Sequence, residues 1–411
     1  MQVGDITNPD AAANGKPLDG VRVLAIEQMQ SLPYATQLLA RMGAEVIKVE
    51  HPTRGDLGRS SLPAVTDASG AQMGATFLRN NLSKRSIALD LKSPRAQDIV
   101  RRLAPRFDVV AENFKAGTMD RFGLGYADLA EVAPKLIYLS VSGFGNLVDS
   151  PYGHWPAFAP IAEAMSGLYT FNRGPDDELK VSPMGALGDT GTGVFAVVGV
   201  LAALRHRDRT GVGQYVDVSM FDAMVAFADI VPNYASMGKD PRTPSALINH
   251  GFPIAAGEVV VQVGREPQFA VLADLVGHPE WVDDPRFATR DGWVRHIDVL
   301  RSGVAAWAGD RTTIEVAEAL ADAGIAAAPV FEAADVIADP HVAARDMLVA
   351  IPTPDGEDVL TAGNPVKLSA MSEGPDTAPP TLGQDTDEVL RTELGLDDAE
   401  LEQLRSDGVI G

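Results

Sequence analysis

The chain has 411 residues, enough for two or three domains and a large buried core. Apolar residues make up 45% and charged residues 22%, which sets it apart from disordered and fibrous chains. Lys and Arg total 34 against 56 Asp and Glu, a net charge of −22, so phosphate backbones and anionic membranes are poor partners and an anionic ligand needs a locally basic pocket. The absence of cysteine removes disulfides, thiolate metal sites and a Cys nucleophile.

In chain order, Met1 to Gly20 is polar and acidic, without the basic start and apolar middle of a signal peptide, and a cytoplasmic protein is expected. Val21–Ile26 predicts a strand, Pro33–Met42 a helix stopped by Gly43, and Ala44–Val49 a second strand. The pattern repeats with Ser86–Leu91 as strand, Pro94–Leu103 as helix, Val109–Glu112 as strand, Tyr126–Val132 as helix and Lys135–Ser142 as strand. A helix follows over about Gly191–Arg207, containing the longest apolar run, Val194–Leu204, which is shorter than the ~20 residues that span a bilayer. After a turn at Arg209–Gly213 come a strand, Tyr215–Met220, and a helical segment, Phe221–Tyr234. Strands separated by helices in this way predict βαβ units, hence an α/β domain with a mostly parallel sheet.

Composition changes near residue 235. Ser236–Pro253 is rich in Pro, Gly and Ser and reads as a linker. A smaller α+β unit follows, with a strand at Glu258–Val263 and helices at Glu266–Val276, Asp298–Trp307 and Thr313–Ala323. The βα texture resumes at Ala326, and an acidic helix, Asp397–Ser406, closes the chain. The expected division is 1–235, 236–330 and 331–411; the pattern leaves open whether the first and last parts share one domain.

The seven histidines, His51, His154, His206, His250, His278, His296 and His341, are scattered without carboxylate or histidine neighbours at ligand spacing, so no metal is expected. There is no G-x-S-x-G elbow and no Walker loop, and the first βα turn, Glu27–Pro33, has no glycine, which argues against NAD. Gly185–Gly193 (GALGDTGTG) brackets Asp189 at the start of the apolar helix. Asp189 can be a helix cap, with the glycines supplying the turn, or a nucleophilic carboxylate whose flanking glycines let a substrate carbonyl approach the backbone. The two roles are compatible. Arg54 with Arg59, Lys84 with Arg85, and Lys115 with Arg121 are candidates for a phosphate pocket or for solvated surface charge. Gln28 and Gln30 follow the first strand, where ligands of open parallel sheets sit.

Several segments together resemble the class III CoA-transferase family of CaiB/BaiF type: Pro17–Glu50, Asn81–Leu91, Val110–Leu124, Tyr138–Gly145, Gly185–Gly193, Arg209–Asp222 and Leu382–Leu394. The resemblance runs nearly end to end and is weakest from about 235 to 330. It implies a Rossmann-like domain built from both chain ends, a smaller inserted α+β domain and an interlocked homodimer. It also implies CoA, carried in as an acyl-CoA, and a carboxylic acid as the small-molecule partners. By motif, Asp189 would be the nucleophile, passing through an aspartyl anhydride and an aspartyl-CoA thioester. The CoA site would draw on Gln28, Gln30, His51, Leu89, Lys92, Asn113, Phe114, Arg121 and Met220. Relatives often carry an acid after an aromatic residue, where this chain has Phe158 followed by Ala159. That acid and an upstream histidine serve the 2-methylacyl-CoA racemases of the family; here no histidine lies between His51 and His154. Racemisation of a 2-methylacyl-CoA and non-catalytic binding of CoA esters stand as the alternatives to CoA transfer.

Overall fold

The structure is a computed structural model that describes residues 1–66, 70–172, 186–242, 246–353, 356 and 358–411. It consists of two compact units, Met1–Pro241 with Ala343–Gly411, and Arg242–Val342.

The first unit is built on six parallel strands: β1 (Arg22–Ile26), β2 (Glu45–Glu50), β3 (Lys84–Ala88), β4 (Val109–Glu112), β5 (Ile137–Ser142) and β6 (Gln214–Ser219). Their order is β3-β2-β1-β4-β5-β6. This is the doubly wound order, in which the strand sequence reverses between β1 and β4. The strands are short β-branched runs because both faces are covered. Alternate side chains of β1 show it: Val23 and Ala25 face one core, Leu24 and Ile26 the other. The first core is filled by α1 (Ser31–Arg41), the second by α2 (Pro94–Leu103). Three further helices follow, α3 (Ala159–Met165), α4 (Leu187–Thr210) and α5 (Met220–Phe227).

Helix α4 is longer than its apolar run suggested, at 24 residues, and by length and composition it would suffice to cross a bilayer. Ala196, Val197, Val200, Ala203 and Leu204 instead fill the core beside α1. The segment expected to be helical over Phe221–Tyr234 is broken after α5 and resumes as a separate helix, Ile230–Ser236.

The second unit has a three-stranded antiparallel sheet of β7 (Ile248–Ile254), β8 (Gly257–Val263) and β9 (Ala326–Pro329), in the order β9-β8-β7. Helices α6 (Glu266–Leu275), α7 (Ile297–Ala308) and α8 (Thr313–Asp322) complete it around Phe269, which stacks on Trp293 at 4.5 Å. Strand β7 corrects the linker expected over Ser236–Pro253. Its residues Ile248 and Phe252, on one face of the strand, are fully buried.

Beyond residue 342 the chain rejoins the first unit with a hairpin, β10 (Leu348–Pro352) and β11 (Asp358–Ala362). It ends in α9 (Thr386–Leu394) and α10 (Asp398–Ser406), whose Val389, Leu390, Leu401 and Leu404 pack with α2 on Leu24 and Ile26.

Candidate active site

The carboxyl ends of the six strands form one edge, and the turn after β1 reaches it at the point where strand order reverses. Gln28 and Asn113, which follow β1 and β4, meet there. The Gln28 N–H donates to Asn113 Oδ1 at 3.0 Å, and Asn113 Nδ2 donates to the Gln28 carbonyl at 2.9 Å. Asn113 is therefore a latch on the turn backbone. The turn lacks glycine, and Met29 takes the left-handed conformation at φ 65°. That conformation is unfavourable for a side-chain-bearing residue and persists only where the surroundings enforce it. Here the Met29 N–H donates to Asp56 Oδ1 at 2.8 Å.

Asp56 belongs to a buried ion network. Lys48 Nζ lies 2.7 Å from Asp56 and 3.3 Å from Glu27, and Lys84 Nζ lies 2.7 Å from Glu27. Burial alone would neutralise these groups. It pulls Lys84 down to about 8, whereas the surrounding acids hold Lys48 above its usual value against the same desolvation. Lys48 and Lys84 in turn keep Glu27 below the ordinary carboxylate range. Next to the network, Glu50 holds Arg59 through two bonds of 2.6 and 2.7 Å, with the Arg59 guanidinium 3.6 Å above the Phe77 ring. Arg59, Lys84 and Arg85 are thus consumed by internal pairs, Arg85 with Glu45, Asp385 and Glu388. They supply no phosphate pocket.

Asp189 stands in contrast. It occupies the first turn of α4, two residues inside the helix, and the cap position belongs to Ala186 at φ 59°. The cap reading is therefore corrected: Asp189 has no bond to an orphan helix N–H. Its carboxylate ionises only at about 6, pushed up by burial and then by the charge of Glu163, with Arg79 opposing. Glu163, on α3, is 2% exposed. Its Oε1 accepts the Gly188 N–H at 2.9 Å and its Oε2 the Tyr169 hydroxyl at 2.7 Å, so it satisfies the start of α4 from outside the helix.

The glycines around Asp189 serve helix packing. A Cβ at Gly188 would lie 2.8 Å from Ala159, at Gly191 2.6 Å from the Phe227 ring and at Gly193 2.9 Å from the Ser31 carbonyl. They let α4 press against α3, α5 and α1, which sets Asp189 among four elements. Gly185 lies outside the described residues. Ala159, next to Phe158, is buried against Gly188.

A cavity of ≈ 240 Å³ opens at this edge. Of the predicted site residues it gathers Asp189, Gln28, Gln30, Asn113, Phe114 and Met220. His51, Leu89, Lys92 and Arg121 are not on its wall. His51 follows β2, its ring 3.2 Å from Thr53; Leu89 follows β3 with its side chain in the core; Lys92 and Arg121 are exposed. All four nevertheless lie at or beyond the carboxyl ends of β2, β3 and β4. Lys115 lines the cavity, as do residues the sequence did not single out: Ser31, Phe144, Asn146, Trp155 and Phe158. The Ser31 hydroxyl, on a residue 4% exposed at the start of α1, has no hydrogen-bond partner among the described residues. Beside the wall, the Glu112 carboxyl is pushed up to about 7 by burial while accepting the Phe114 N–H at 2.8 Å.

A buried acid on the wall of a cavity at the switch point of a doubly wound sheet marks a candidate ligand-binding and catalytic site. The chain belongs to CoA-transferase family III, whose family model matches residues 18–386. It is 35% identical to the formyl-CoA:oxalate CoA-transferase of Streptomyces avermitilis, across 96% of this chain and 100% of that one. It is 37% identical to the succinyl-CoA:mesaconate CoA-transferase of Haloarcula marismortui, across 92% and 97%. Among solved structures, a CAIB/BAIF family protein from Brucella suis superposes with a TM-score of 0.81 at 32% identity, covering 92% of this chain and 100% of that one.

Proposed function

We propose that this enzyme moves coenzyme A from an acyl-CoA to a carboxylic acid with Asp189 as covalent nucleophile. The observation that carries the reading is an aspartate on the cavity wall, partly stripped of water and spared from capping its own helix. A carboxylate in this state is a better nucleophile than a solvated one and is ionised at neutral pH. An Asp189 oxygen attacks the thioester carbonyl, the C–S bond breaks, and CoA leaves as thiolate from a mixed anhydride. The thiolate attacks the aspartyl carbonyl of that anhydride, releasing the first acid as carboxylate and leaving an aspartyl-CoA thioester. The acceptor carboxylate repeats both steps in reverse, and Asp189 returns as carboxylate. No proton moves at any step, so the chemistry asks for no general base. The N-terminal N–H groups of α1, beside the cavity, suit the oxyanions of the tetrahedral adducts.

In this reading the thioester end of CoA lies over Gln28, Gln30, Asn113, Phe114 and Met220. The rest of the cofactor follows the carboxyl edge of the sheet towards His51, Leu89, Lys92 and Arg121. A homodimer is part of the same reading. Val194, Phe195, Val198 and Leu201 form an exposed apolar stripe on α4, with Phe227 and Ile230 exposed nearby, the surface that a second copy would cover. A monomeric sedimentation coefficient removes that part.

The test is the intact mass of the protein after incubation with acyl-CoAs and trapping by hydroxylamine or borohydride. A CoA-sized adduct, or its trapped remnant mapped to Asp189, is expected. An enzyme that transfers CoA with its modification mapped elsewhere overturns the assignment.

A further inference from the structure

The chain leaves β5 after Ser142 and comes back to the cavity over Trp155 and Phe158 before α3 begins. The base of this segment is fixed to the sheet. Asp217 of β6 accepts the N–H groups of Asn146 and Leu147 at 2.9 and 2.7 Å, and Ala157 sits so close to Gly143 that a Cβ there would meet it. On that base stands a cluster of rings. Trp155 lies 4.8 Å from Tyr152 and 6.3 Å from Phe144, and Phe144 lies 6.0 Å from Phe221. Phe144 is buried, whereas Trp155 is 45% and Phe158 65% exposed, and all three line the cavity that holds Asp189. Phe158 caps α3, and the residue after it, Ala159, packs on Gly188, the residue before Asp189. Large rings left open on a cavity wall beside a buried carboxylate are the surface that an apolar ligand group covers.

Topology gives the ligand a direction, within the acyl-CoA reading above on which this inference rests. From the thioester, the proposed path of CoA runs towards the ends of β4, β2 and β3. The ring-bearing segment leaves β5, which flanks β4 on the opposite side, and Asp189 lies on the helix that leads into β6. An acyl group extends from the thioester away from CoA, hence towards Phe144, Trp155 and Phe158. Charge points the same way. Among the described residues of the wall Lys115 is the one cation, and it is exposed just beyond β4, on the CoA side. A second carboxylate carried by the acyl group would meet rings and Asp189, losing water without gaining a counter-charge. We propose that Phe144, Trp155 and Phe158 form an acyl pocket for apolar groups of aryl size, so that the enzyme selects arylacyl-CoA thioesters and their acids over dicarboxylic ones.

The experiment reads the pocket by binding and, separately, by exchange. Calorimetry on the wild-type chain compares three unreactive thioethers: S-(2-phenylethyl)-CoA, S-ethyl-CoA and S-(2-carboxyethyl)-CoA. The phenylethyl compound is expected to bind roughly tenfold tighter than the ethyl one, from burial of its ring, and the carboxyethyl compound no tighter than the ethyl one. F158A and W155A are each expected to bring the phenylethyl-to-ethyl ratio within about threefold of one, and W155A carries the comparison if F158A melts early. CoA exchange from phenylacetyl-CoA to ¹³C-phenylacetate is expected to run with kcat/KM roughly tenfold above exchange from succinyl-CoA to ¹³C-succinate. Equal wild-type affinity for the three thioethers, tighter carboxyethyl binding, or a ratio unmoved in both variants overturns the pocket, as does exchange of the succinyl pair as fast as the phenylacetyl pair or faster. An aryl preference in binding without exchange of either pair overturns the CoA-transfer reading and leaves the pocket standing.

Discussion

Along one sheet edge, buried charge is handled in two opposite ways. Beneath the turn after β1, Lys48 and Lys84 are matched to Glu27 and Asp56, and Arg59 is matched to Glu50. At the start of α4, Asp189 is withdrawn from water with Glu163 adding repulsion and Arg79 alone opposing it. The first region stabilises a geometry: its Asp56 holds the Met29 backbone in a conformation it would otherwise avoid. In the proposed mechanism the second holds reactivity, because a carboxylate that is neither fully solvated nor tightly paired gains by forming a covalent bond. Burial is common to both. The completeness of the pairing separates scaffold from chemistry.

The comparison breaks first at Asp189. D189N is expected to lose CoA transfer by roughly 10⁴- to 10⁶-fold, the usual penalty for removing a covalent nucleophile. The same variant should be more stable than the parent at neutral pH. The folded-state value of about 6 lies above the ordinary 3.8, so ionising Asp189 costs the folded protein up to about 3 kcal/mol. That cost is complete above the folded value and absent below the unfolded one. Thermal melts should therefore show the advantage of D189N at pH 7 and its disappearance near pH 4. Equal melting curves at pH 7 would mean that Asp189 is well solvated and its environment has been misread.

Next in size is K48M, which strands Asp56 and takes one of two cations from Glu27. Leaving buried carboxylates uncompensated typically costs 3–5 kcal/mol. Urea denaturation should find a loss of that order, shrinking on acidification as the stranded acids protonate. Asp189 is untouched, so adduct formation should survive wherever the protein is folded. A K48M protein that is fully stable yet unable to form the adduct would reverse the division between scaffold and chemistry.

The parallel sheet was legible because five of its strands are β-branched apolar runs between helix signals. The exception is β3, expected at Ser86–Leu91 and found at Lys84–Ala88. Lys84 and Arg85 read as a phosphate pocket or as surface charge, while their partners, Glu27 and Asp385, lie 57 and 300 residues away. Strand β7 was hidden by its Pro and Gly content, although Ile248 and Phe252 keep the alternation of a buried strand. Asp189 was found through its glycines, yet those glycines turned out to seat three helices. The latch of Asn113 on Gln28 spans 85 residues, and only topology brings it together. Glu163, Arg79 and Ser31 carry no local signal. Glu163 in particular sits in a short Ala-rich helix, where a charged residue normally faces water.

That buried glutamate offers the finest test of the contrast. E163Q keeps an oxygen for the Gly188 N–H and a polar atom for the Tyr169 hydroxyl, so the start of α4 stays in place. It removes the negative charge facing Asp189 and leaves Arg79 in position. Asp189 should then ionise at lower pH, and the acidic limb of kcat/KM, near 6 in the parent, should move down. The displacement should fall short of the ordinary aspartate value, because burial is the first cause of the raised value and is unchanged. E163A adds a different injury: it leaves the Gly188 N–H without its acceptor, for a loss of about 1–3 kcal/mol in stability. A downward shift in E163Q with unchanged melting assigns Glu163 an electrostatic hold on the nucleophile. An unmoved limb in E163Q, with E163A destabilised, would leave Glu163 as the cap of α4 alone and place Asp189 under burial and Arg79.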